Sequence, residues 1–140
     1  MHALTRLSKD RAGTSALEFA IVAPLFFLTL FTLIAYGIYL SVTHSVQQIA
    51  ADAARTAVAG LNPAERITLV NRYLDASRLD YSFINRAKMQ VVVTDDPGNP
   101  DQFTVTITYD SSDLPIWKLF TFALPHENIQ RYATLRVGGM

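Results

Sequence analysis

An α+β fold is predicted by three features of the 140-residue chain. One helix is very long and changes from apolar all round to amphipathic. A short second helix follows a Gly and Asn-Pro stop. The remainder is dominated by runs that alternate with period two, the mark of half-buried strands. The expected order is long helix, short helix, then a small antiparallel sheet of about three strands packed on the aqueous half of the long helix.

The first helix begins with a membrane-like stretch. No charge stands between Glu18 and Asp52. At 1.5 Å per residue, the roughly 22 residues of segment 19–40 reach about 33 Å, enough to cross a hydrocarbon core. A secretory signal peptide has a shorter apolar core, about 7–15 residues, with its cleavage site close behind. Here the first Ala-x-Ala pairs, Ala51/Ala53 and Ala57/Ala59, come well after the apolar run ends. The reading is a transmembrane anchor; a cleaved signal peptide and a buried core helix are the alternatives. Arg6, Lys9 and Arg11 outnumber Asp10 on the short flank, which favours a cytoplasmic N-terminus and sends residues beyond 41 across the membrane. Tyr36 and Tyr39 fit the outer aromatic belt or a subunit contact. Gly37 offers a weak close-packing signal.

Helical periodicity continues past the span. Val46, Ile49, Ala50, Ala53 and Ala57 recur on one side, while Gln48, Asp52 and Arg55 fall on the other. Gly60 and Asn62-Pro63 supply the stop. A single helix over residues 13–59 would be about 70 Å long. A second helix is expected over residues 63–77, with Asn62 as cap, Pro63 at its first position, and Ile67, Val70 and Leu74 along one side.

Strand signals follow. Ala87, Met89, Val91 and Val93 alternate with Lys88, Gln90 and Thr94, and Phe103, Val105, Ile107 and Tyr109 alternate with Gln102, Thr104, Thr106 and Thr108. The Pro97-Gly98-Asn99-Pro100 segment between them reads as a hairpin turn. A third strand is expected over 128–137, with Ala133, Leu135 and Val137 on one face. Residues 114–125 are nearly all apolar, carry the single Trp and are bracketed by prolines. They read as a cover over the sheet that completes a small core, or as an exposed patch for a neighbouring subunit or the bilayer surface.

Composition narrows the chemistry. A formal net charge of zero argues against nucleic-acid binding, which needs a basic surface. The absence of cysteine removes disulfides, thiolate catalysis and cysteine-ligated metals. His2, His44 and His126 lack metal-ligand spacing, and neither a phosphate-binding glycine loop nor a Gly-x-Ser-x-Gly or Ser-x-x-Lys motif occurs. No enzyme activity, metal or cofactor is expected. Asp95, Asp96, Asn99 and Asp101 suggest a calcium loop, but the two prolines and the missing distal glutamate favour a hairpin tip.

Glu18 is the feature that anchoring alone does not require. A carboxylate at helix centre costs ~3 kcal/mol to insert on translocon scales, and less near the interface. Two readings stand on residue chemistry: it rests at headgroup level beside Lys9 and Arg11, or it meets a cation during assembly. Pro24 removes a backbone donor and clashes with the Ala20 carbonyl, marking either a weak point in the helix or a tolerated membrane proline.

The run Gly13-Thr14-Ser15-Ala16-Leu17-Glu18-Phe19, after Arg11 and before Ala20 and Ala23-Pro24, resembles the N-terminus of TadE-like proteins. These are minor pilins, or pseudopilins, of the Tad (tight adherence, Flp, type IVb) pilus system. The resemblance covers residues 5–60, and Tyr132-Ala133-Thr134-Leu135-Arg136 is similar, less specifically, to that family's closing strand. It implies a pilin-like fold. It also implies a type III signal leader (1–13) cut after Gly13 by a membrane prepilin peptidase, a transmembrane assembly helix (14–41) beginning at Thr14, and an extracytoplasmic head (42–140). Glu18 would pair with the new α-amino group of a neighbouring subunit, and Pro24 would be the point of local melting on extraction. Other minor pilins, the major pilin, the inner-membrane assembly platform and membrane lipid are the implied partners. The implied place is the bacterial inner membrane, head in the periplasm, and the extracellular pilus after assembly. The implied task is to initiate or cap pilus assembly for surface adherence. Two departures stand out. Thr14 occupies a position where type IV pilins often carry an N-methylated Phe or Met, and the cysteine pair of many such pilins is missing. An uncleaved, single-pass accessory subunit of an envelope complex is the alternative function.

Overall fold

The computed structural model describes residues 11–76, 83–119 and 124–138, with side chains from Thr14 onward. Helix α1 spans Arg11–Ala57 and α2 spans Pro63–Ala76. A three-stranded antiparallel sheet follows, β1 (Met89–Asp96), β2 (Asn99–Asp110) and β3 (Asn128–Arg136), in the order β1-β2-β3. Short 3-10 turns at Arg86–Lys88 and Pro115–Lys118 flank the hairpin. The predicted α+β architecture is the observed one. Leader residues Arg6 and Lys9, together with His2 and Ser77, lie outside the described residues.

The second half of α1 carries the core. Val42, Val46, Ile49, Ala50, Ala53, Ala54 and Ala57 are fully buried. Alanine leaves the backbone close to its neighbours, so the sheet and α2 both seat on this one helix. The helix ends at Ala57, and Gly60 just beyond it lies against α2: a Cβ there would meet Arg66 Cγ at 2.7 Å and the Arg66 backbone nitrogen at 2.9 Å. Glycine is needed at this position for close approach. The Asn62 cap forms as expected, its Oδ1 accepting from the Glu65 N–H at 2.9 Å. Glu65 in turn reaches back to accept the Leu61 N–H at 2.9 Å, tying down a second donor before the helix.

The buried stripe of α2 is Arg66, Val70 and Leu74. Ile67, expected on that face, is only half-buried, so the stripe is rotated by one residue toward a charge. Three contacts explain why a cation is accommodated. Arg66 Nε donates to the Gly60 carbonyl at 3.1 Å, its Nη1 bonds Asp95 of β1, and its guanidinium lies 4.5 Å from the centroid of the Phe103 ring. A buried charge is tolerable when it is both paired and hydrogen-bonded. Arg66 thereby joins the end of α1, α2, β1 and β2.

Inside the sheet, paired rows run Met89–Tyr109–Ile129, Val91–Ile107–Arg131, Val93–Val105–Ala133 and Asp95–Phe103–Leu135. The half-buried Arg131 places an inward charge on edge strand β3, a device that discourages another strand from adding there. Gln47 of α1 also donates to the Tyr132 carbonyl of β3 at 3.1 Å. The hairpin tip is an Asx turn, with Asp96 Oδ1 accepting from the Gly98 N–H at 2.8 Å. Asp95 meets Arg66, and Asn99 Oδ1 accepts the Asp101 N–H at 3.1 Å. The Asp96 and Asn99 side chains thus shape the turn, and Asp95 is taken up by Arg66.

At the other end of the hairpin, Tyr109 donates its hydroxyl to the Phe83 carbonyl at 2.8 Å, while Lys88 pairs with Asp113. Phe83 holds a φ of 73°, a left-handed conformation uncommon for a bulky residue. The Asp113 carboxylate, mainly through its hydrogen bond, raises the Lys88 pKa, and burial raises that of Tyr109. Asp110 is lowered, chiefly by the Ser112 backbone N–H.

Segment 114–125 differs from the expected cover over the sheet. Leu114, Ile116 and Trp117 are buried, but the Pro115–Lys118 turn packs on α1, with the Trp117 ring edge-on to Tyr39 at 6.4 Å between centroids. Trp117 Nε1 donates to the Ser111 carbonyl at 2.7 Å, which fixes the indole. Tyr39, read as an aromatic-belt or subunit-contact residue, is therefore part of the core. Residues 120–123 lie outside the described residues.

Three stability predictions follow from these contacts. Arg66→Ala, which leaves Asp95 and the Gly60 carbonyl without their donor, is expected to destabilise the head by about 2 kcal/mol, since Asp95 is partly solvated. Gly60→Ala is expected to cost about 1–3 kcal/mol through overlap with Arg66. Urea unfolding followed by Trp117 fluorescence checks both, and an unchanged midpoint would remove the Arg66 argument. Thr43 is buried and its hydroxyl has no partner among the described residues. Thr43→Val should therefore be neutral or stabilising by up to about 1 kcal/mol, readable as a higher melting temperature.

A further prediction concerns pH. Lys88 and Tyr109 both have folded pKa values above their unfolded ones, so their contribution is complete below pH of about 10 and is lost as pH rises through the folded values. The urea midpoint should fall as pH rises above about 10, where these groups begin to titrate, and fall less in Tyr109→Phe. Asp110 acts oppositely, contributing above its unfolded pKa and losing that contribution on acidification.

Candidate functional site

The first half of α1 has almost nothing packed on it. Leu17, Phe19, Ile21, Leu25, Phe26 and Leu33 are all exposed, Phe19 to 71% and Leu33 to 67%. The first α1 residue that the head fully covers is Ala35, at 1% exposure. A soluble protein rarely presents so large an apolar surface to water. This helix is long and apolar enough to cross a membrane and lies mostly outside the packed core.

The polar groups within it are satisfied internally. Thr29 Oγ1 donates to the Leu25 carbonyl at 2.9 Å and Thr32 Oγ1 to the Leu28 carbonyl at 2.8 Å. Such back-bonding to the residue four earlier suits a lipid environment, where no water completes the bond. Phe26, Phe27 and Phe31 contact one another along one flank, with centroids 5.7 and 6.1 Å apart. One apolar helix of this kind fits a single-pass anchor.

Glu18 sits at the start of this apolar surface. It is exposed on α1, and no cation pairs with it among the described residues. Gly13 and Thr14 lie in the first turn of the same helix. Thr14 and Glu18 are four residues apart and therefore on one helical face, about one turn from each other. Pro24 lies inside α1, which continues through it as one element. Gly37 has open space around its Cα, with no close helix neighbour.

The head supplies a different kind of surface. The hollow on the outer face of the sheet is lined by polar groups, Lys88, Gln90, Thr108, Asp110, His126 and Asn128. Lys88 is engaged with Asp113, and Asp110 accepts the Ser112 N–H at 2.9 Å. No nucleophile with an adjacent base is assembled there. Among the described residues no cluster of three or more metal-ligating side chains occurs.

Sequence reasoning located the apolar span, Glu18 and the alanine face. It missed the buried Arg66 node and the Trp117–Tyr39 contact. The 66/70/74 spacing, two steps of four on a helix, was the available signal for Arg66. For Trp117 and Tyr39, 78 positions apart (117 − 39), no local signal exists.

The family model described as TadE-like protein matches residues 13–55. No curated protein and no solved structure matches the chain. The matched segment is α1 without its two ends, so it holds Glu18, the exposed apolar half and most of the alanine face, but none of the sheet. Over this helix the chain is similar to TadE-like proteins, and the head beyond it stands on its own structure.

Proposed function

We propose that this chain is a TadE-like minor pilin that helps initiate or cap assembly of a Tad pilus. The observation carrying this reading is the TadE-like match over a helix whose first half is bare of packing and whose start bears a carboxylate. The TadE-like pilin family is structural and not enzymatic.

In this reading a prepilin peptidase cuts after Gly13 on the cytoplasmic side and frees the α-amino group of Thr14. Gly13 lowers the helix propensity of the cut turn, which eases its unwinding for a peptidase. The new cation stands one turn before Glu18. In a bundle of parallel helices the carboxylate of one subunit meets the amine of its neighbour. In a low-dielectric surrounding that pair attracts strongly, and either charge alone is costly. The pair penalises a wrong axial stagger more than it adds affinity. Pro24 weakens the hydrogen-bond ladder one turn and a half beyond and gives the helix a place to loosen as it leaves the bilayer. Other minor pilins, the major pilin and the inner-membrane assembly platform are the partners of this step, and membrane lipid is the medium it starts from. The inner membrane, with the N-terminus cytoplasmic and the head periplasmic, is the starting location.

Coexpression with a prepilin peptidase and intact-mass measurement tests the reading. Loss of residues 1–13 is expected, with the cut abolished by a bulky residue at position 13. An unchanged mass beside an active peptidase would instead support an uncleaved anchored accessory subunit. Glu18→Gln should leave membrane insertion intact and reduce recovery of pilin partners in a pull-down. Normal recovery by that variant sinks the charge-pairing role.

A further inference from the structure

We propose that the Pro115–Lys118 turn is a membrane foot, with Tyr36, Lys118 and Leu119 facing the lipid headgroups of the leaflet where α1 leaves the bilayer. The inference rests on the anchor reading of α1 and adds a second membrane contact, made by the head.

Its basis is a clash of lengths. A hydrocarbon core is about 30 Å thick, or about 20 residues of helix. If the core begins at Thr14 it ends near residue 34; if it begins at Phe19 it ends near residue 39 (both by a rise of ~1.5 Å per residue). Yet the head already covers α1 at Ala35 and Tyr39, which are 1% and 9% exposed. With the core starting at Thr14, the part of the head that reaches down to these residues falls within the headgroup layer, about 5–7 Å deep on each side; with the core starting at Phe19, it reaches from the boundary at Tyr39 to about 6 Å inside the core at Ala35. Tilting the helix moves the boundary further along the chain and immerses this part more.

The part that reaches down has the chemistry for that layer. Trp117 is wedged edge-on against Tyr39, and Tyr39 lies 6.3 Å from the exposed Tyr36. Trp and Tyr at the boundary form the aromatic belt of membrane proteins. Leu119 is 44% exposed, and Lys118 is exposed beside it. The nearest acid in sequence, Asp113, is already paired with Lys88. Among the described residues Lys118 forms no ion pair, so the turn presents a cation and an apolar side chain, a match for anionic headgroups over acyl chains. The Trp117 indole bond to Ser111 anchors the turn to the end of β2, so contact with lipid fixes the height and rotation of the whole head.

The single tryptophan of the chain makes this measurable. The full chain is reconstituted in phosphatidylcholine/phosphatidylglycerol vesicles that contain lipids brominated either near the headgroup end or near the tail end of the acyl chain. Loss of most of the Trp117 emission with shallow bromines, and little loss with deep ones, is expected. The double variant Lys118→Glu, Leu119→Asp should reduce that quenching while the chain stays in the vesicles. Absence of quenching at every bromine depth, with the chain retained through an alkaline wash, overturns the foot and leaves the anchor standing. Release of the chain by the alkaline wash overturns the anchor reading and the foot with it. Quenching that the double variant leaves unchanged also overturns the assignment of Lys118 and Leu119.

Discussion

One helix has to satisfy two solvents, and the rest of the structure is arranged around that constraint. Up to about Ile34, α1 presents large apolar side chains on all sides, and its threonines bond back to their own helix. From Ala35 on, the same helix becomes one-sided, with alanines and valines inward and Gln48, Asp52 and Arg55 away from the core. No loop separates the two regimes. The head is therefore continuous with the span through one helix, interrupted in its hydrogen-bond ladder only where Pro24 lacks a donor. The helix α2, the sheet and the Trp117 turn all dock on α1.

A head this small, without disulfides, needs close packing and a few well-placed polar links. The alanine face brings backbone layers together, where larger side chains would hold them apart. Gly60 permits the next helix to start almost in contact with the end of the first. Arg66 occupies the space so created. It links elements far apart in sequence, from Gly60 to Phe103, through one guanidinium. Such a planar group can accept an ion pair, a carbonyl and an aromatic face together, which an ammonium could not. The charge is best understood as fixing the mutual orientation of four elements; as a source of net stability a buried ion pair is a weak candidate.

Much of this was legible in the sequence because it is local. The period-four alanine face, the Asn62-Pro63 helix start and the alternation in both hairpin strands each report on backbone geometry within a few residues. All three appear in the structure at the expected places. What local patterning could not reveal was the identity of distant partners. Ile67 looked like a core residue on hydrophobicity, but the face turned toward Arg66 because Asp95 and Phe103 wait on the sheet. Tyr39 reads as an exposed residue because nothing near it in sequence announces Trp117, against which it is buried. Of residues 114–125, expected as cover over the sheet, Leu114, Ile116 and Trp117 lie inside the core. The Pro115–Lys118 turn meets α1, because the chain leaves β2 at its end beside that helix.

The two ends of the span raise a linked mechanical question. In the proposed reading, the cytoplasmic end carries a charge that is satisfied only by another subunit, while the far end is held by a foot on the lipid surface. Leaving the membrane requires losing both sets of lipid contacts. The Glu18 carboxylate gains its partner in the same step, but the foot loses its headgroups and must be covered by something else. In that reading the cover comes from a neighbouring subunit. The foot and the charge pair would then be two parts of one selection. A subunit that reaches the correct stagger satisfies Glu18 and covers Leu119 together, and one that does not leaves a buried charge and an exposed apolar turn at once. That coupling makes a wrong stagger costly at both ends of the helix, which a single contact at either end would not do.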